Sequence, residues 1–192
     1  QGQCADPVAA QRAMTAPPFH TIGHSTRTIE AFCALLRVGA VDVVVDIRSV
    51  PRSRTNPQYN FDVLGDALAP FQIGYTHIAE LGGLRGRVKA AEPDTNGFWD
   101  NRSFHNYADY ALTAPFRAGL DQLIALGRAR RCAIMCSEAV WWRCHRRIVI
   151  DYLLAGGEAV FHLMDPGRAV TATLTPGARV GEDGRVTYPA VA

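Results

Sequence analysis

Between Phe19 and Leu163 the chain alternates short β-branched runs with segments of helical period, and this alternation constrains its fold more than any other feature. Residues 41–47 are β-branched and nearly all apolar, the pattern of a strand buried on both faces. Further strands are predicted at 19–23, 73–78, 132–136 and 159–163. Between the first two, Ile29, Phe32, Cys33 and Leu36 recur at helical spacing, with Gly39 to close the helix. Helices are also predicted at 61–69, ended by Pro70, at 104–112, and from about 142 to 154, stopped by Gly156 and Gly157. Another starts at Thr113, carries Pro115 in its first turn and Phe116, Leu120, Leu123 and Ile124 on its buried face, and is closed by Gly127. Strands alternating with helices predict an α/β fold, a mainly parallel sheet of about five strands with helices on both faces. After Pro166 a simpler alternation around Glu182-Asp183-Gly184 predicts a C-terminal hairpin or strap.

At 192 residues the chain can bury one core, and residues 19–192 are assigned to a single domain. Residues 1–18 are read as an extension. Their first part lacks the charged and apolar regions of a signal peptide, and Met14 looks like a natural start, which leaves Cys4 outside the domain. Hydrophobic residues at 48% and charged residues at 20% exclude a wholly disordered chain, a collagen and a coiled coil. No apolar run approaches the roughly 20 residues needed to cross a membrane, so no membrane partner is expected. Five cysteines, an odd number without a CxxC spacing, fit free thiols in a reducing cytoplasm better than a disulfide framework. The net charge of +2 does not call for a nucleic-acid partner. The basic residues are nevertheless lopsided, because Lys89 is the single lysine among 20. Codon bias is the plainer explanation; the functional one is repeated recognition of phosphate or carboxylate by the planar guanidinium fork.

Ligands of parallel α/β sheets bind outside the carboxyl ends of the strands. That rule gathers residues far apart in sequence. His24, Ser25 and Arg27 follow the first predicted strand; Arg48, Ser49, Arg52, Ser53 and Arg54 follow the second, with Asp46 near its end. Glu80, Gly82 and Gly83 follow the third. Cys136, Ser137 and Glu138 follow the strand at 132–136 and lead to Arg143, Cys144, His145 and Arg146. Residues 81–103, rich in Gly, Arg and Asn, form a long loop or flap.

The stretches Thr21-Ile-Gly-His-Ser-Thr-Arg27, Asp46-Ile-Arg-Ser-Val-Pro-Arg-Ser-Arg54, Leu81-Gly-Gly83, Phe104-His-Asn-Tyr-Ala-Asp-Tyr110 and Cys136-Ser-Glu-Ala-Val-Trp-Trp-Arg-Cys-His-Arg146 together resemble the domain of unknown function 488 family of prokaryotic proteins. The resemblance runs from about Phe19 to Leu163. Ser137 stands where the family pattern has a small residue such as Ala, and His105 where it has Arg. The resemblance implies an α/β fold and a site built from these motifs, and it supplies no reaction.

The residue types suggest chemistry directly. Cys136 sits between a buried strand and a helix start, close in sequence to Arg143 and Arg146. A helix dipole and guanidinium groups would stabilise its thiolate, so a nucleophilic Cys136 is expected beside the plainer alternative of a structural cysteine. His145 can serve as base or acid, and Glu138 can do likewise or orient it. A phosphatase-like or rhodanese-like loop is rejected: the position at which it needs arginine holds Trp142, and Arg143 comes one residue later. His24 either fixes the strand end by hydrogen bonding or belongs to the site. Arg48 either pairs with Asp46 or binds an anion. Arg52, Ser53 and Arg54 make a loop able to hold a phosphate. Ser25, Arg27, Gly82, Gly83, Arg143 and Arg146 complete the anion-binding set. Trp142, with Trp141, would sandwich a base or roof the core, and Arg85, Arg87 and Lys89 lie near Phe98 and Trp99 in a pattern suited to nucleic acid.

Three functions follow. The favoured one is an enzyme, a hydrolase or transferase with a cysteine nucleophile. It would act on a phosphate-bearing small molecule, a nucleotide or a nucleic acid, as in repair or modification, without a cofactor. The second is a non-enzymatic nucleic-acid-binding or regulatory module. The third is a metal or redox protein in which Cys136, Cys144, His145 and His24 supply a mixed thiolate and imidazole site.

Overall fold

A computed structural model describes residues 16–89, 92, 94–165 and 167–190. The expectations for Cys4 and the first residues lie outside them. The predicted fold class holds. In chain order the elements are β1 (Phe19–Gly23), α1 (Ile29–Val38), β2 (Val43–Asp46), α2 (Phe61–Leu68), β3 (Gly74–His77), α3 (Arg102–Tyr110), α4 (Ala114–Ala129), β4 (Cys132–Cys136), α5 (Arg146–Ala155), β5 (Val160–Asp165), β6 (Arg168–Thr171), β7 (Arg179–Val180) and β8 (Val186–Thr187). Five parallel strands run in the order β3-β2-β4-β1-β5, and β6 adds an antiparallel edge beside β5. The sixth strand comes from the tail, whose remainder forms the separate β7-β8 hairpin turning through Gly184 at φ 74°.

Alternation along the strands divides the core in two. Val43, Val45, Cys132 and Ile134 face α3, α4 and α5, where Tyr107, Phe116, Leu120, Leu123, Ile148 and Leu153 are buried. Val44, Ala133 and Met135 face α1 and α2 with Phe32, Leu36, Leu64 and Leu68. Adjacent strand residues point to opposite faces, so apolar residues on both parities give a two-sided core. Thr28 caps α1 by accepting the Ala31 N–H at 3.2 Å, and Gly39 ends that helix.

α3 runs two residues earlier than expected, over 102–110, and two other helix boundaries differ with consequences for packing and the site. Gly127 does not close α4, which continues to Ala129. The glycine allows close approach instead, because a Cβ there would overlap the ring of buried Phe19. The helix expected from about residue 142 starts at Arg146. Trp141–Arg143 form a single 3₁₀ turn, and Cys144 is extended at φ −126°, ψ 148°. This extra turn sets where Cys144 and Arg146 stand relative to each other. No described helix is long and apolar enough to cross a membrane.

The tail acts as a strap. Tyr188 is buried; its hydroxyl donates to Asp151 Oδ2 on α5 at 2.7 Å, and its backbone N–H donates to Asn96 Oδ1 at 3.1 Å.

Candidate active site

The carboxyl ends of β1, β2 and β4 open on a cleft of about 530 Å³. Beyond β1 and β4 the pairing continues, with His24 N–H donating to Cys136 O and Ser25 N–H to Ser137 O, both at 3.0 Å. Ser25 takes a left-handed φ of 49° at that turn. The floor holds two thiols and an imidazole. Cys136 Sγ, Cys144 Sγ and a ring nitrogen of His145 lie within 4.8 Å of one another.

His145 is oriented from behind. Its Nε2 lies 2.9 Å from the Ile47 carbonyl and must donate there, which leaves Nδ1 as the ring's acceptor. Nδ1 is 3.6 Å from Cys144 Sγ. Gly83 packs so closely on the imidazole that a Cβ would overlap it. Gly83, expected among the anion-binding residues, lines the cleft, and its backbone shapes the pocket around His145.

Cys144 collects the positive groups. Arg146 Nε is 3.3 Å and Arg146 N is 3.5 Å from its sulfur, so a guanidinium and the first amide of α5 both donate to it. Arg146 also donates through Nη2 to the Glu138 carbonyl, is 1% exposed, and has no carboxylate partner among the described residues. A buried cation needs a counter-charge close by, and the Cys144 sulfur occupies that place. Burial opposes ionisation of Cys144, but the Cys136 thiol's hydrogen bond and the Arg146 contacts outweigh it and lower the thiol's pKa. The Cys136 thiol is pushed up, first because it gives its hydrogen bond to Cys144 and then by burial. The groups that favour a thiolate, expected around Cys136, gather instead at Cys144, because the helix end and the guanidinium both reach the later sulfur.

The other predicted residues divide by environment. Glu138 and Arg143 are exposed and line the cleft, and no ion pair forms at Arg143 among the described residues. Arg48 lines it too but is committed. Its Nε and Nη2 reach Asp46 Oδ1 and Oδ2 at 2.9 and 2.7 Å, and Nη2 also donates to Tyr59 O at 2.6 Å. His24 is 2% exposed, donates from Nδ1 to Ser25 O at 2.8 Å, accepts from Arg48 Nη1 at 3.3 Å, and stacks on Tyr59. Burial, helped by Arg48, lowers its pKa to about 4 against the opposing Ser25 bond, so the ring is neutral. Arg52 and Ser53 line the rim. Arg52 pairs with exposed Asp62 at 3.2 Å, while Ser53 organises its own loop through Asn60 and Asn56.

Ser25, Arg27, Arg54, Gly82, Arg146 and Trp142 do not line the cleft. Arg27 ties strand ends together, donating to Gly23 O at 2.6 Å and Met164 O at 3.2 Å. Arg54 is exposed on its loop, and Gly82 closes the Ala79–Leu81 turn. Trp142 is 45% exposed, edge-on to Trp141, which stacks on His162 at 4.3 Å. Trp99 is buried beside Phe104, and Arg85 turns back onto backbone carbonyls of its own loop and over the Tyr110 ring. Neither offers a stacking platform at the surface.

Sequence reasoning missed Val50, Leu84, Asn101, Ser103 and Phe104 as cleft residues, and named Ser49 only as a strand-end residue. Ser49 Oγ accepts the Leu84 N–H at 2.8 Å and ties the flap to β2. Asn101 caps α3, a signal visible in sequence, but the side of the sheet on which that cap falls is not.

The three floor atoms could also hold a soft metal ion. His24 is not part of that group, since both its ring nitrogens are engaged. The Arg146 cation already faces the Cys144 sulfur, so a divalent ion would add a second positive centre at the same atom.

Fold and site together define a parallel α/β protein with a cysteine–histidine cleft at its strand ends. The chain belongs to the family described as Domain of unknown function DUF488, whose model matches residues 28–153, well over half of its length. No curated protein and no solved structure matches it.

Proposed function

We propose that the chain is an enzyme of the hydrolase or transferase class, acting in this cleft on a phosphate-bearing or nucleobase-containing substrate. The observation that carries the reading is the Cys144 sulfur held between Arg146 and His145 at the floor of an open cleft. Cys144 attacks as the thiolate, and His145, its tautomer set by Ile47 O, moves a proton through Nδ1. Glu138 serves the leaving group or water from the exposed wall. Arg143, exposed at the rim, receives the anionic part of the substrate, and the Phe104 face, backed by Trp99 at 4.8 Å, offers a base its apolar contact. Arg146 and Arg48 are positioning residues.

The test incubates the full chain with nucleoside 5′-monophosphates, nucleoside triphosphates and an end-labelled single-stranded oligonucleotide, and separates the products by chromatography. Conversion of at least one probe is expected, with loss in Cys144→Ser and unchanged circular dichroism. Conversion that survives in both Cys144→Ser and Cys136→Ser overturns the role of the thiols. No conversion of any probe overturns the substrate class.

A further inference from the structure

A thiol beside a stabilised thiolate has chemistry of its own, independent of the substrate. Cys33 and Cys132 are fully buried in the two halves of the core, whereas Cys136 and Cys144 share the cleft floor with their sulfurs within 4.8 Å. One sulfur faces a guanidinium and a helix amide, and the other lies within 4.8 Å of it and of a ring nitrogen of His145. We propose that Cys144 and Cys136 form a peroxide-reactive pair, in which Cys144 reduces a hydroperoxide and Cys136 resolves the product to an intramolecular disulfide.

The Cys144 sulfur attacks one peroxide oxygen, so that an S–O bond forms and the O–O bond breaks. The departing alkoxide or hydroxide takes up the proton that Cys144 had released, and Cys144 is left as the sulfenic acid, oxidised by two electrons. The Cys136 thiol then passes its proton towards His145 as its sulfur attacks the Cys144 sulfur. The S–S bond forms, the S–O bond breaks, and the departing hydroxide takes the proton and leaves as water. In sum, two thiols and a hydroperoxide give a disulfide, an alcohol or water, and a further water. Arg146 serves the first step from behind the cleft, holding the thiolate before attack. The disulfide consumes both sulfurs, so a peroxide-treated cleft has no nucleophile until a thiol reductant restores it.

Hydrogen peroxide added in equimolar amount to the reduced full chain, with no other substrate, is read by intact mass and peptide mapping. The expected wild-type product has lost two hydrogens and yields a linked Cys136–Cys144 peptide that dithiothreitol opens. Cys136→Ser should stop at the sulfenic acid, which dimedone tags at Cys144, and Cys144→Ser should give neither product. Failure to form the linked peptide in the wild type overturns the proposal, as does a dimedone tag confined to Cys136 or Cys33. Since the readout needs no turnover, linkage without conversion of any nucleotide probe keeps the pair and removes the substrate reading; conversion without linkage does the reverse.

Discussion

Two buried arginines flank the cleft, and they answer to different counter-charges. Arg48, at the end of β2, grips Asp46 two residues away with both arms of its fork, and Tyr75 OH donates to the same carboxylate at 2.9 Å. Arg146, at the start of α5, has a sulfur and a carbonyl instead. The first pair is closed and makes a rigid strand end. The second turns its positive charge towards a cysteine, because its guanidinium faces the Cys144 sulfur where Arg48 faces a carboxylate. Burying a guanidinium therefore does structural work at one end of the cleft and chemical work at the other.

The largest test breaks the closed pair. Asp46→Ala leaves Arg48 buried without its counter-charge and strips Tyr75 of its acceptor, so a loss of about 3–5 kcal/mol is expected in urea unfolding. Asp46→Ala with Arg48→Met should recover part of it, because the uncompensated charge is gone.

The second test uses pH. His24 beside Arg48 and His162 beneath Trp141 both have pKa values lowered to about 4, chiefly by burial, from an ordinary 6.5. The unfolded chain thus binds protons that the folded one refuses. The contribution is fully present above pH 6.5 and is lost as pH falls towards 4, by on the order of 2–3 kcal/mol for each ring. Chemical unfolding at pH 7 and pH 4.5 should show the drop, and a His24→Gln, His162→Gln variant should lose much of the pH dependence.

The open pair is sharpened by alkylation. Arg146→Met removes two of the groups that favour the Cys144 thiolate, its charge and its Nε–H, while the backbone amide remains. The iodoacetamide rate at Cys144, followed by peptide mapping at pH 7, should fall by about tenfold, equivalent to about 1.4 kcal/mol. An unchanged rate would mean that the helix amide alone sustains the thiolate. The smallest effect is expected at the rim. Arg52→Ala breaks an ion pair with Asp62 in which both side chains are about half exposed, so thermal stability should change by less than about 1 kcal/mol.

The fold was legible because its signals are local. Val43, Val44 and Val45 announce a strand buried on both faces, and Ile29 to Leu36 announce an amphipathic helix, whatever they later pack against. The strand-end rule then brought His24, Arg48, Cys136 and His145 to one cleft without any contact being known. It failed at Arg27 and Gly82, which stand beside the same strand ends but spend their polar groups on backbone. It also failed at Asn101 and Phe104, which follow no strand: the first belongs to the flap and the second to the first turn of α3.

The sequence by itself determined the order of elements, the two-sided sheet and the edge at which a site must form, because periodicity and strand ends are properties of short segments. Only the tertiary structure decided which of the two cysteines faces the positive groups. The choice rests on the single turn at Trp141–Arg143, which delays α5 and sets Cys144, not Cys136, against Arg146. Ionisation depends on through-space distance to a counter-charge and on exclusion of water, and neither is written in the spacing of residues along the chain.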